Sequence, residues 1–342
     1  MSRLRRALLV VSGALLLASA FASPAGAAPR DDPKHGYTFA VIGDIPYGAP
    51  AAEAFPGVVD RINADPDVEL VAHVGDIKSG STLCSDEYFA FVRSQFDRFA
   101  DPLVYTPGDN EWTDCHRINN GAYNALERLG TIRETFFDRP GRTLGERSAR
   151  IQSQQRYGYP ENVQWSKAGV TFAAVHIVGS NNGMAPWTGN TAPTPEQTAE
   201  VIGRTAASIE GIHDAFAAAR SQRSRAVMIM TQADMFDTTV VDPAPTFAGY
   251  YAFQPIVQAL VNESRTFRGP VYLVNGDSHV YNEDRPLAAG SNCLGFYGVS
   301  GTAGNLTRIT VDGADNADRY LKFVVQRRGA EVLTWQRVPY NS

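Results

Sequence analysis

Residues 37–44 read Tyr-Thr-Phe-Ala-Val-Ile-Gly-Asp, a mostly apolar, β-rich run that ends abruptly on a Gly-Asp corner. A strand flanked by polar solvent alternates apolar and polar residues; this one does not, so it predicts a strand buried on both faces. The same grammar returns twice. Glu69–Val74 runs into Gly75-Asp76, and Leu103–Thr106 runs into Pro107-Gly108-Asp109. Amphipathic stretches at Ala51–Asn63, Ser85–Phe99 and Asn120–Phe137 stand between the runs and read as helices. Strands alternating with helices predict a layered α/β fold with a largely parallel sheet.

Downstream, residues 139–168 are polar and read as a long surface excursion before a strand at Val170–Val178. Thr194 then caps a helix, with Pro195 in its first turn, that should run to about Arg220. Ala226–Met230 and Val271–Val274 are further buried strands, separated by a helix near Phe253–Asn262. After Phe296, the runs Leu306–Val311, Tyr320–Gln326 and Val332–Val338 are expected to form an antiparallel set completing a second sheet. No linker or repeat divides the chain, so residues 28–342 are expected to be a single domain.

Upstream, Arg3, Arg5 and Arg6 precede the apolar run Ala7–Ala22, and Ala25-Gly26-Ala27 offers small residues for cleavage. Residues 1–27 therefore read as a signal peptide, and the mature protein as secreted or otherwise extracytoplasmic. No second long apolar stretch suggests a membrane span. Without those 27 residues the chain holds 28 basic and 36 acidic residues and shows no basic stripe, which argues against nucleic-acid binding. There are three cysteines. Cys84 and Cys115 both follow Gly-Asp corners and are the favoured disulfide in an oxidising compartment, leaving Cys293 over.

In an open α/β sheet the loops after the strands gather into one crevice. Here they deliver Asp44, Asp76, Asp109, Asn110, Asp277 and His279, with Gln232 just after its own strand. Gly43, Gly75, Gly108 and Gly276 precede the four aspartates and are expected to permit the sharp turns. Clustered carboxylates repel one another unless a cation neutralises them, and a shared carboxylate can hold two divalent ions about 3.5–4 Å apart. Lys78, Asn110, Asn181 and Asn182 are candidates for contacting a bound phosphate ester. His73 reads as a core residue, and no motif claims His176 at a strand end.

The order Gly43-Asp44, Gly75-Asp76, Gly108-Asp109-Asn110-Glu111 and Gly276-Asp277-Ser278-His279 resembles the calcineurin-like metallophosphoesterase superfamily. That resemblance implies a four-layer αββα sandwich, two mixed sheets flanked by helices, with two divalent ions at the strand ends. It makes Asp44, Asp76, Asp109, Asp277 and His279 metal ligands, Asp76 the bridge, and Gln232 the stand-in for a lone histidine, with Asp234 nearby. It also implies hydrolysis of a small phosphate ester by in-line attack of a hydroxide that the ions generate. Four family histidines are replaced, by Pro46, Asn110, Gln232 and Asp277. The oxygen-rich set favours Mn²⁺, Mg²⁺ or Ca²⁺ over Zn²⁺. Asn110 lacks the proton that the family's histidine gives the leaving group, and His116 is the nearest substitute in sequence. These replacements leave open a non-catalytic metal- or phosphate-binding protein on the same fold.

Overall fold

Every side chain of the first strand is buried because apolar layers lie on both sides of it. Tyr37, Phe39 and Val41 face one core, whereas Ala40 and Ile42 face another. The computed structural model that shows this describes residues 36–237 and 246–341; the expected signal peptide lies outside those residues. Twelve strands occur among them: β1 (Tyr37–Ile42), β2 (Val68–His73), β3 (Leu103–Tyr105), β4 (Gln152–Gln154), β5 (Tyr159–Lys167), β6 (Val170–Ala174), β7 (Ala226–Met230), β8 (Val271–Asn275), β9 (Asn282–Asp284), β10 (Leu306–Thr310), β11 (Arg319–Val325) and β12 (Leu333–Pro339).

They form two mixed sheets, ordered β12-β11-β1-β2-β3 and β4-β5-β6-β7-β8-β10-β9. Strands β1, β2 and β3 run parallel, as do β6, β7, β8 and β10. The inner faces of the two sheets meet in a core that includes Phe39, Leu70, Phe172, Met228, Val274 and Phe323. Helices Gly48–Asn63, Asp86–Phe96 and Ala125–Phe136 cover the outer face of the five-stranded sheet. Helices Pro195–Gln222 and Gln254–Thr266 cover the other. The result is an α/β sandwich of four layers. The long helix starts as its sequence implies: Thr194 and Gln197 form a reciprocal capping box, with Pro195 at the first turn.

Two expectations are corrected. The polar stretch 139–168 is not simply a surface excursion, because it contains the edge strand β4 and its neighbour β5. The three C-terminal strands do not form one antiparallel set. Strand β10 joins the seven-stranded sheet beside β8 in parallel, whereas β11 and β12 extend the five-stranded sheet antiparallel to β1.

Phe39 locks the inner faces together. Its ring lies stacked at 5.0 Å from Phe323 on the neighbouring strand and edge-on at 5.4 Å to Phe172 of the opposite sheet. It has no exposed surface. Truncation would remove both ring contacts and leave a void between the sheets, so Phe39→Ala is expected to cost about 3–5 kcal/mol. Denaturant unfolding of wild type and variant measures this directly; a loss below about 1 kcal/mol would contradict the packing described.

Candidate metal centre

Parallel strands bring the two halves of the site to one end of the sandwich: Asp44, Asp76 and Asp109 follow β1, β2 and β3, while Gln232 and Asp277 follow β7 and β8. The turns are made by the acids themselves. Asp44, Asp76 and Asp277 have φ of 53°, 56° and 76°, and His279 has 63°. Each such left-handed L-residue costs of order 1–2 kcal/mol, a strain that clusters at functional sites. Of the four corner glycines only Gly75 is left-handed, at φ 94°. Gly108 and Gly276 instead provide room. A Cβ on Gly108 would sit 2.0 Å from Asp76 Oδ1, and one on Gly276 would sit 2.3 Å from Asp44 Oδ2.

Two overlapping sets of candidate ligand atoms result, Asp44–Asp76–His279 and Asp76–Asp109–Asp277, with the atoms of each set within 4.8 Å of one another. Asp76 belongs to both, as a bridging ligand must. Asp44, Asp76 and Asp109 are buried, and the cluster opens to solvent on the side of Asp277 and His279. Burial and the Asp109, Glu111, Asp44 and Asp277 carboxylates push Asp76 well above the usual carboxylate range. Burial pushes Asp44 up too, against the backbone N–H of Asp277, with Asp109 and Glu111 adding to the rise. Asp277 is raised by burial and by Asp109 and Asp44. Four carboxylates and one imidazole converging in this way form a donor set that suits hard divalent cations.

Asp76 is also the most heavily hydrogen-bonded acid of the cluster. Its Oδ2 accepts from Tyr47 Oη at 2.9 Å, Asn110 Nδ2 at 2.8 Å and Gln232 Nε2 at 3.1 Å, and its Oδ1 accepts from the Asn110 backbone N–H at 3.2 Å. Glu111 holds the surrounding chain. Its Oε1 accepts from the backbone N–H groups of Asp76 and Gly108 and from Tyr105 Oη. Tyr47 and Ser180 are members that sequence reading missed. Tyr47 Oη lies 3.3 Å from His279 Nε2 and accepts from Asn110 Nδ2 at 2.9 Å. Ser180 Oγ lies 2.8 Å from Asp109 Oδ2 and 3.0 Å from Asp114 Oδ1. It is carried there by a left-handed turn in which Ser180, Asn181 and Asn182 have φ of 52°, 57° and 54°. The run Ser-Asn-Asn-Gly, rich in residues that tolerate that conformation, was the available signal.

The other candidates land differently. Lys78 has no exposed surface; its ammonium donates to Asn110 O at 2.6 Å and Asn120 Oδ1 at 3.2 Å, so the substrate-contact role is corrected to a buried structural one. Burial brings it down to about 8, against the pull of Glu111 and Asp76. Asn182 is likewise corrected: it is buried, bonded to Thr205 and Arg204. Asn181 accepts from the Ala252 backbone N–H through Oδ1. Gln232 turns its amide nitrogen to the carboxylates while its oxygen accepts from the Gly179 N–H at 2.7 Å, and in that orientation it braces the acids. Asp234 is neutralised by Arg308. His116 Nδ1 accepts from the Thr188 backbone N–H at 2.9 Å and lies 2.8 Å from its hydroxyl, tying two loops together.

A covalent and a polar brace fix the Asp109 loop. Cys84 and Cys115 form a disulfide, and the Asn110 carbonyl lies 3.6 and 3.7 Å from their sulfur atoms. Trp112 Nε1 donates to His176 Nε2 at 3.1 Å; His176 Nδ1 lies 3.0 Å from Glu161, which also pairs with Arg133 at 2.6 Å. His73, as expected, is a satisfied core residue between Ile45 O and the Gly75 N–H.

No family model and no curated protein matches the chain. Among solved structures it is similar to the purple acid phosphatase PPD1 of yellow lupin seeds (11% identity, TM-score 0.45, 88% of this chain and 51% of that one). It is also similar to the NAD nucleotidase NadN of Haemophilus influenzae (12%, TM-score 0.44, 88% and 55%). A third is GAP50, described as the anchor in the inner membrane complex of Plasmodium (7%, TM-score 0.42, 90% and 89%). The chain spans about half the length of the two enzymes.

Divalent ions should relieve the crowding of the acids. Mn²⁺ is expected to raise the melting temperature relative to EDTA, and Asp76→Asn should abolish most of that rise while stabilising the EDTA form, because it removes one repelling charge. Differential scanning calorimetry reads both; an Mn²⁺ response unchanged in the variant would contradict the shared-ligand assignment.

The brace makes a prediction about acid. Burial pushes Glu161 upward, but the hydrogen bond from His176 and the Arg133 guanidinium outweigh it and hold it at about 2. A depressed carboxylate stabilises the fold above its unfolded value of about 4.3, and that contribution is lost as pH falls toward about 2. Between pH 5 and about 2.5, wild type should therefore lose its stability advantage over Glu161→Gln. Urea unfolding across this range tests it, and a constant difference would refute it.

Proposed function

We propose that this chain is a metal-dependent phosphoester hydrolase that acts outside the cytoplasm. The convergence of the two ligand sets on Asp76 is the observation that carries the reading. Divalent ions bound there would neutralise phosphoryl oxygens and favour ionisation of a nearby water. Asp44, Asp76, Asp109, Asp277 and His279 would hold them, Mn²⁺, Mg²⁺ or Ca²⁺ in preference to Zn²⁺. Asn110 orients Asp76 through both its backbone N–H and its side-chain amide. Tyr47 keeps a proton at Oη, since burial and the Asp76 and Asp44 carboxylates disfavour its ionisation. In the structure that proton is donated to Asp76 Oδ2, so Tyr47 serves as a donor beside the candidate bridging carboxylate. The Cys84–Cys115 disulfide supports an oxidising compartment.

A second reading is a non-catalytic protein that binds metal or phosphate. One observation favours it: Asp76 Oδ2 already accepts three hydrogen bonds, which compete with a cation for that oxygen.

Aryl phosphate mono- and diesters distinguish the two. With Mn²⁺, Mg²⁺ or Ca²⁺, wild type is expected to turn over at least one class, and Asp76→Ala to lose about 10³-fold or more, the scale of removing a main electrostatic contributor. Metal binding without turnover would discard the enzyme in favour of the second reading.

A further inference from the structure

We infer that the edge of the seven-stranded sheet carries a second binding site, a groove that takes an uncharged segment of a glycan. In the strand register Ile229 of β7 lies opposite Ala173 of β6, Ala173 opposite Gln164 of β5, and Gln164 opposite Gln152 of β4. The first two of this row pack in the core beneath the helix Pro195–Gln222. The outer two are amides, and the row beside them continues with Asn162 and Gln154. One face of one sheet therefore changes from apolar to amide where it reaches its edge. Cavities of about 340 and 380 Å³ open at that point. Gln152 and Gln164 line both, so the two adjoin. Gly211 of the helix lines one and Gln222 the other, a span of about 16 Å at 1.5 Å per residue.

The floor of the groove is fixed. Gln154 and Asn162 are buried, and Asn162 Nδ2 donates to Gln154 Oε1 at 2.9 Å. Gln154 Nε2 donates to Ala207 O of the helix at 3.0 Å, and Asn162 Oδ1 accepts from the His176 backbone N–H at 2.7 Å. In front of this floor the side-chain amides of Gln152 and Gln164 have no hydrogen-bond partner among the described residues. Tyr157 lines the first cavity and is 57% exposed, with the Arg156 guanidinium 4.5 Å from its ring centroid. Each amide is both donor and acceptor, which matches a sugar hydroxyl that is both as well. An exposed tyrosine offers an apolar ring to the C–H face of a pyranose and a polar tip to its rim. The charges, Arg150 and Arg156 against Asp214, nearly cancel, so the groove matches neither a polyanion nor a polycation. A peptide strand would instead pair with the free edge of β4 and need apolar pockets for alternate side chains.

Affinity electrophoresis of the purified protein tests this, in native gels containing soluble starch, hydroxyethylcellulose, mannan or glycol chitin, with polygalacturonate as the acidic comparison. At least one neutral polymer is expected to retard the wild type, equally in Mn²⁺ and in EDTA. The double variant Gln152→Ala/Gln164→Ala should weaken that binding about tenfold, the scale of one or two lost hydrogen bonds, and Tyr157→Ala should do so independently by a similar factor. Gln152 and Tyr157 are exposed and Gln164 is half-buried without a partner, so both variants should keep the wild-type melting temperature and its response to Mn²⁺. Migration unaffected by every neutral polymer would overturn the inference. So would retardation by polygalacturonate alone, or retardation that both variants retain in full.

Discussion

Repulsion among buried carboxylates organises this end of the molecule. Asp44, Asp76 and Asp277 are each driven away from ionisation by burial and by the other acids. Folding gathers them regardless, and the backbone accepts left-handed strain at all three. A chain selected only for stability would disperse such charges or replace them with apolar residues. The surrounding architecture works against that repulsion: the Asp277 N–H reaches Asp44 at 3.0 Å, Asn110 and Gln232 amides reach Asp76, and two β-sheets prevent the strand ends from separating.

The support is deeper than the carboxylates. Glu111, adjacent to Asn110, ties the β2 and β3 corners to each other through one oxygen. The disulfide joins the loops that follow those same corners, and the Asn110 carbonyl is wedged between its sulfur atoms and Lys78. On the far side, Trp112 hands the loop to His176 after β6, which meets Glu161 of β5, and Glu161 in turn pairs with Arg133 of the helix Ala125–Phe136. Rigid second-layer support of this kind is what lets a few side chains hold an orientation that their own electrostatics disfavour.

Much of this was legible in the amino-acid sequence, for physical reasons that also explain what was not. The run Tyr37–Ile42 announces a doubly buried strand because both cores write apolar residues into it. The Gly-Asp corners announce the carboxylates, and Cys84 and Cys115 their pairing. Strand β5 hides in a polar stretch because it lies near the edge of its sheet, with one end exposed. The split of β10 from β11 is invisible because short apolar runs do not name their partners. Lys78 reads as a candidate phosphate contact because its acceptors, Asn110 O and Asn120, come from a loop more than thirty residues away and surround it only after folding. Tyr47 sits beside Asp76 and His279 through turns of backbone that composition does not record.

The placement of β1 has a consequence for how the polypeptide acquires this shape. Its antiparallel neighbour is β11, with Tyr37 opposite Val325, so the central strand of one sheet pairs along one side with a segment far downstream in sequence. All the residues between these two strands must emerge before that ladder closes. Until then one edge of β1 stays unpaired and its aromatic face lacks Phe323. Such long-range pairing slows folding and exposes an adhesive edge during synthesis, a hazard that a holdase chaperone engaging the nascent β1 segment would offset.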